Sequence, residues 1–476
     1  MATRRILTLA LWCVAASAQA SPRSDPTAGR AVFTGATTHH ATSIVLNPAA
    51  LGLGQFDELY VSLTSVIDQL HIDLAAYDSA DLHAPAARVR DIEPSAGASI
   101  SFVYHFAGNL TLGFEARRLA PETYPSGYEA LRYYALGDGE RAWLGSVGGS
   151  LKLTNDLYVG AGVSHQNTFL RMRYARDTAL DRGLGAGGVT SDCGGAPCGL
   201  GNPLADERYT IDVQSATLST SNLRVNIGAI YQLSRDMWLA LSYHTPPGLS
   251  VQSALTGHID IERAPRDQTD DNGPIRGQSV VEIQFPASAD GEFRMRLPSG
   301  LDLHVGGRWE DLSRLSAFDF RAYGSTIPRN GIPEWTQRPR SMRDSFAAWA
   351  GVEQLDTGGR WTLGGRIGAE TSAVSETRTS PLTIAPFSAT LDVGAQLRLS
   401  RNVSVQGSYG VQYFPTVHAE TSKFDPQARI DCIAQQLDYT TSACDAVRNG
   451  YALPSAAGSY ERIQHALRIG LRYEFF

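Results

Sequence analysis

Residues 467–475 read Leu467-Arg468-Ile469-Gly470-Leu471-Arg472-Tyr473-Glu474-Phe475. Large apolar side chains hold every odd position, and charged or small ones every even position. An extended strand sends successive side chains to opposite faces, so this segment forms a strand with one apolar and one polar face. In a transmembrane barrel the apolar set meets lipid and the polar set faces the lumen. Phe475 keeps the phase of a strand ending in an aromatic, and Phe476 lies one residue beyond it. The last strand of a soluble β-sandwich is the alternative, but it does not accommodate so many strands and such long loops in one exported chain.

The same alternation recurs upstream. Further strands are expected near 56–74, 97–106, 110–119, 142–153, 157–174, 216–233, 237–245, 279–309 as one piece or two, 315–323, 347–354, 361–370, 389–399 and 403–414. They are joined alternately by tight turns and by long polar stretches. Ala107-Gly108-Asn109, Thr154-Asn155-Asp156, Ser234-Arg235-Asp236 and Ser400-Arg401-Asn402 are turn-forming clusters and are assigned to the periplasmic side. The stretches 176–207, 246–277, 324–344 and 416–460 are assigned to the outside. The fold class is therefore all-β, a transmembrane antiparallel barrel of about 14 strands.

The first twenty residues carry Arg4 and Arg5, an apolar run from Ile6 to Ala16, and Ala18-Gln19-Ala20 before Ser21. This is the pattern of a secretory signal peptide with an Ala-x-Ala cleavage site. The apolar run is too short for a membrane-spanning helix, which needs about 20 residues. Bulky Trp12 before Cys13 speaks against a lipid-attachment site. Loss of this segment takes the formal charge from −7 to −9, which makes nucleic acid an improbable partner. A hydrophobic content of 43% and a mean hydropathy of −0.18 would suit a soluble protein, but they suit a barrel equally, because only every second residue meets lipid.

Four cysteines follow the signal segment, Cys193, Cys198, Cys432 and Cys444. An even number in an exported chain suggests disulfides. Three connectivities are possible, of which Cys193 to Cys198 and Cys432 to Cys444 close short loops among turn residues. Metal binding is disfavoured, since neither pair has ligand spacing with a partnering histidine. Adjacent His39 and His40 lack same-face geometry for a metal as well, so neither a metal nor a cofactor is expected.

Between the signal segment and the first strand, residues 29–54 read GRAVFTGATTHHATSIVLNPAALGLG. The stretch is rich in small residues and does not alternate. With Asn47-Pro48-Ala49 placed directly before the first strand, it resembles the N-terminal plug of the FadL/TodX family of outer-membrane transporters. Leu241-Ser242-Tyr243-His244-Thr245-Pro246, Leu297-Pro298 and Thr379-Ser380-Pro381 through Phe387 extend the likeness over most of the chain. The resemblance implies a fourteen-stranded barrel holding a Gly- and Ala-rich hatch, uptake of long-chain fatty acids or other hydrophobic molecules, and a Gram-negative outer-membrane location. It divides the chain into a signal peptide (1–20), a hatch (21–54) and a barrel (55–476). Two departures stand out: the loop 176–207 is mostly glycine and charge where well-studied members have an apolar capturing groove, and His39-His40 stands where members often have acids.

The hatch residues Phe33, Ile44, Leu46, Asn47, Pro48 and Ala49 are the candidates for ligand contact and gating, since small movements of this segment open a passage by the family's implication. Burying an acyl chain gains about 0.8 kcal/mol per methylene, and a carboxylate head needs a cation or hydroxyl at the polar end of its pocket. Arg171 and Arg173 alternate with Leu170, Met172 and Tyr174, and Arg294 and Arg296 with Phe293, Met295 and Leu297. Each pair is expected to point inward, either to a ligand head group or, more commonly, to lumenal acids. An enzyme would need an activated serine; Ser408 is the one tempting case, and its alternating small-residue strand suits a packed lumenal hydroxyl better. The partners expected are outer-membrane lipid with lipopolysaccharide and a hydrophobic ligand, around a monomer. A non-selective diffusion porin or a structural barrel is the alternative function.

Overall fold

The computed structural model describes residues 32–79, 82–84, 86–119, 122–123, 125, 131–177, 211–249, 253–262, 275–329, 334–355, 359–424, 453 and 455–475. The signal segment and all four cysteines lie outside the described residues.

Fourteen antiparallel strands close into a barrel. They are β1 (Asp57–Leu74), β2 (Ala87–Ala107), β3 (Leu110–Arg118), β4 (Asp138–Lys152), β5 (Leu157–Asp177), β6 (Ile211–Ser234) and β7 (Met237–His244). The circuit continues through β8 (Ser288–Arg296), β9 (Leu301–Glu310), β10 (Ser345–Leu355), β11 (Trp361–Glu370), β12 (Ser388–Arg398), β13 (Val403–Ala419) and β14 (Gly458–Phe475). Each pairs with the next, and the sheet closes where Asp57 of β1 faces Phe475 of β14. Closure leaves no unpaired ladder edge, which a membrane interior requires.

The expected phase of β14 is the observed one. Leu467, Ile469, Leu471, Tyr473 and Phe475 are exposed on the outer wall, while Arg468 is buried inside. The short turns use local hydroxyls: Thr154 Oγ1 accepts from the N–H of Leu157 at 3.0 Å, and Ser400 Oγ from that of Val403 at 3.1 Å. Such serine and threonine turns stabilise tight reversals where glycine is absent. The turn after β8 instead needs Gly300, whose φ of +80° suits glycine alone.

Residues 315–323 do not enter the barrel wall, contrary to the sequence expectation. Ala317–Tyr323 belongs to a sheet that rises beyond the barrel, with Ser253–Glu262, Ile275–Ile283 and Trp335–Pro339 as its other added strands. The long stretches 246–277 and 324–344 are accordingly partly structured. The cause is the unequal length of neighbours: β6 extends well above β7, which stops at His244 before Thr245-Pro246-Pro247. Proline carries no N–H for the ladder, so the upper half of β6 pairs with Ser253–Glu262 instead. Alternation alone cannot tell such an extension from a wall strand, because both are amphipathic.

The extension covers a core above the lumen that contains Tyr134, Met172, Tyr174, Phe285, Phe318 and Phe320. Arg338 caps it, donating from Nη2 to the carbonyl of Tyr134 at 2.7 Å with its guanidinium 4.0 Å from the centre of the Tyr174 ring. Burial pushes the Tyr134 hydroxyl well above the ordinary phenol range, so it stays neutral there.

Candidate functional site

Residues 32–54 fold inside the barrel. A single helical turn, Ser43–Leu46, is buried throughout, and a 3-10 turn, Pro48–Leu53, follows it. Asn47 joins the two. Its side chain accepts from the N–H of Ala49 at 3.1 Å and donates to the carbonyl of Ala36 at 2.8 Å, which folds the segment back on itself. Pro48 sits at the first position of its turn, where the missing N–H costs nothing.

Charged side chains of the wall hold the segment by its backbone. The carboxylates accept N–H groups: Glu353 from Phe33 at 3.0 Å, Glu292 from Thr37 at 3.0 Å and Glu58 from Ala41 at 3.1 Å. The arginines donate to carbonyls: Arg468 to Val32 at 3.0 Å, Arg366 to Thr34 at 3.0 Å and Arg294 to Thr37 at 3.4 Å. Bonds to charged partners are worth about 1.5–3 kcal/mol each, and here they satisfy a backbone that lacks regular structure over its first ten residues. Glu58 also meets His39 Nε2 at 3.4 Å and Arg472 at 3.3 Å. Among the described residues, no group of histidine, cysteine, aspartate or glutamate is disposed to hold a metal.

Each candidate hatch residue has a defined place. Phe33 is buried at a φ of 62°, unusual for a bulky residue. Ile44 packs with Leu51, Tyr60 and Val103. Pro48 and Ala49 press so closely on the wall that a side chain at Gly160 would strike their backbone, and one at Gly228 would strike Asn47 Oδ1.

Above Val45 and Leu46 lies a cavity of about 110 Å³ that these two side chains floor. Its lining mixes apolar side chains, Leu119, Leu144 and Phe285 among them, with polar ones, the cations Arg117, Arg224 and Arg308, His244, and the carboxylates Glu140 and Glu310. Phe285 belongs also to the core above, so the cavity and that core share a side chain. The histidine and two of the three arginines are occupied: Arg117 with Glu115 at 2.6 Å, Arg308 with Asp290 at 2.6 Å, and His244 with Asp290 and Asn226, both at 3.1 Å. Arg224 differs. Its Nη2 reaches Ser288 Oγ at 3.4 Å, and its solvent-shielded Nε has no hydrogen-bond partner.

The arginines expected from the sequence divide. Arg294 and Arg296 point inward as predicted, but both bind Asp302, Arg296 through Nε at 2.7 Å, and both lie near the Trp238 ring. Arg171 and Arg173 do not point inward: both are exposed on the outer wall, while Leu170, Met172 and Tyr174 are buried. At that height β5 has risen past the lumen into the extracellular core, so its apolar face turns inward and its charged face outward. Ser408 is buried on the lumenal face, between Gly394 and Arg468 of the neighbouring strands. Sequence reasoning missed Arg117, Arg224, Glu58, Glu292 and Glu353. Their strand phase marked them as lumenal, but nothing local marks which lumenal charges meet the N-terminal segment.

The model of the outer membrane protein transport family (OMPP1/FadL/TodX) matches residues 6–447. No protein of curated function matches the chain. Among solved structures, a Pseudomonas aeruginosa FadL homologue has a TM-score of 0.74 at 13% identity, over 97% of this chain and 99% of that one. The P. putida toluene transporter TodX has 0.60 at 12%, over 92% and 94%, and the Ralstonia pickettii toluene transporter TbuX has 0.57 at 14%, over 92% and 94%. Identities this low establish the shared barrel, and the family model establishes membership: the chain belongs to the OMPP1/FadL/TodX family of outer-membrane transport proteins for hydrophobic compounds.

Proposed function

We propose that the chain takes up long-chain amphipathic molecules, fatty acids being the reference substrate, through a lumen closed by residues 32–54. The observation that carries this reading is the cavity lined both by apolar side chains and by an arginine whose Nε is unsatisfied. An acyl chain gains about 0.8 kcal/mol per methylene from the apolar side chains. A carboxylate gains charge-assisted bonds from Arg224. The related TodX and TbuX are toluene transporters, but a neutral aromatic has no use for such a cation, so an acidic head group fits this cavity better. Because the barrel closes its own edges, it acts as a monomer.

Residues 32–54 gate the lumen, and the first ten of them are held to the wall by polar bonds that can be broken one by one. Proteoliposomes containing the full chain should accumulate a labelled long-chain fatty acid and exclude a small sugar. Removal of residues 21–54 should admit the sugar. Sugar passage through the intact protein without fatty-acid uptake would make it a diffusion porin.

A further inference from the structure

Two lumenal residues that the register places side by side do not meet. Arg366 on β11 lies directly opposite Asp392 on β12, and both are buried on the inner face. Opposite charges so placed ordinarily pair across strands. Here the Arg366 guanidinium turns instead to the N-terminal segment. It donates from Nη1 to the carbonyl of Thr34 at 3.0 Å and lies 4.5 Å from the centre of the Trp349 ring.

Asp392 is left behind. Its side chain lies over Gly410 of β13, where a Cβ would strike its Oδ1. Among the described residues it takes part in no hydrogen bond and no ion pair, and the cations whose charge reaches it are Arg366 and Arg468. Arg468 is committed to Val32. A buried carboxylate without a donor is unfavourable, so any arrangement that gives Asp392 a donor is favoured by that amount.

The other acids whose charge reaches Arg366, Glu292 and Glu353, are placed differently. Each accepts a backbone N–H of the segment, from Thr37 and from Phe33. Each also has the His304 ring close by, at 3.7 and 3.8 Å. They keep a polar neighbour on the wall whether or not the segment is seated. Asp392 depends on the arginine that the segment holds.

We propose that Asp392 is the second acceptor of Arg366 and sets the balance of the gate. While residues 32–54 are seated, the Thr34 carbonyl holds the guanidinium; when they withdraw, the side chain turns to its cross-strand carboxylate. The Cβ atoms of such a pair are about 5 Å apart, so a change of side-chain torsions suffices and no strand has to move. The bond gained has charge on both partners and is stronger than the bond lost, which has charge on one. Release of the segment therefore strands no cation in the wall, which would otherwise oppose it. Asp392 is a positioning residue that acts through Arg366. The inference rests on the reading that residues 32–54 gate the lumen, and it adds the wall group that stabilises the open state.

Hydrogen–deuterium exchange of the full-length protein in detergent, read by mass spectrometry on a peptide covering residues 32–41, reports how often the segment is released and needs no substrate. Asp392→Asn keeps the shape and removes the charge, which weakens the released state. Exchange of that peptide should slow about tenfold, the difference between a charge-assisted and a neutral bond. The thermal unfolding midpoint should not fall, because no bond of the closed structure is lost. Asp392→Glu keeps the charge and should exchange like wild type. In an Arg366→Met background Asp392→Asn should change nothing, since it acts through that arginine. A residue that merely supported the closed structure would give the opposite sign, with faster exchange and a lower midpoint. That result overturns the proposal, as does unchanged exchange or an equal slowing in the Arg366→Met background. Asp392→Ala deletes the acceptor, has the same expected direction, and serves if heat-modifiable gel mobility shows Asp392→Asn to be unfolded. Exchange reports release whether or not a solute passes, so failure here is distinct from failure of the gating reading, which shows as sugar exclusion unchanged by removal of residues 21–54.

Discussion

Arg468, on the last strand, donates from Nη2 to the carbonyl of Val32 at 3.0 Å, across 436 positions of sequence. The residue belongs to the polar face of the segment whose alternation defines the fold, so one strand both seals the barrel against β1 and ties down the N-terminal segment. Arg366 makes the same kind of bond two residues on, to Thr34. Replacing Arg468 with methionine keeps much of its bulk but leaves a buried carbonyl without its donor, at a cost of about 1–3 kcal/mol. The R468M barrel should still fold, and in liposome-swelling assays it should leak small sugars several-fold faster than wild type. An unchanged leak rate would mean that the segment does not depend on this bond.

A second prediction rests on space rather than charge. Gly160 faces the lumen where Pro48 and Ala49 press on the wall, whereas a Cβ at Gly145 meets nothing within 4 Å. Gly160→Leu should therefore displace the Asn47-Pro48-Ala49 turn, and limited proteolysis should cut the N-terminal segment faster. Gly145→Ala should behave as wild type. Equal protease sensitivity of the three proteins would remove the argument that wall glycines make room for the segment.

The acid at the lower end of β9 offers a third. Asp302 is buried and pairs with both Arg294 and Arg296. Asp302→Asn keeps the shape and removes the charge, stranding Arg294, which is also largely buried; Arg296 is half exposed and contributes less. A loss of about 1–3 kcal/mol is expected, visible as a lower thermal unfolding midpoint. If the midpoint does not move, these arginines are not held by Asp302, and a ligand role for them regains force.

Much of the fold was legible because a membrane barrel writes its register into the sequence. Each strand must put one face in lipid, so the phase of Leu467 through Phe475 or of Leu223 through Ile227 could be read directly. The same code failed at Arg171 and Arg173. Past the height of the bilayer the inside of β5 is an apolar core and the outside is water or head groups, so the meaning of the two faces reverses. Residues 315–323 misled for a related reason, since an extension packed on a core alternates like a wall strand. The cavity was the least legible part. Its arginines and histidine are assembled from β3, β6, β7 and β9, and each residue there looks locally like any other lumenal residue. Asn47-Pro48-Ala49 could be singled out because a buried irregular backbone needs particular residues to fold it.

Arg224 leads to the sharpest prediction. Its neighbours Arg117, Arg308 and His244 each have a charged or hydrogen-bonded partner, while Arg224, which lines the cavity with Ser288, reaches only that serine and leaves its Nε without an acceptor. If this guanidinium receives a carboxylate, Arg224→Gln should weaken binding of a long-chain fatty acid roughly tenfold to a hundredfold, the range of a charge-assisted bond of about 1.5–3 kcal/mol. Binding of the fatty alcohol with the same chain should hardly change, because the apolar lining is untouched. Arg224→Lys should recover part of the loss, since it restores the charge without the fork. Calorimetric titration with acid and alcohol separates the contributions of head and chain. Should acid and alcohol bind wild type equally well, the cavity does not read a carboxylate, and a neutral hydrocarbon becomes the better choice of cargo.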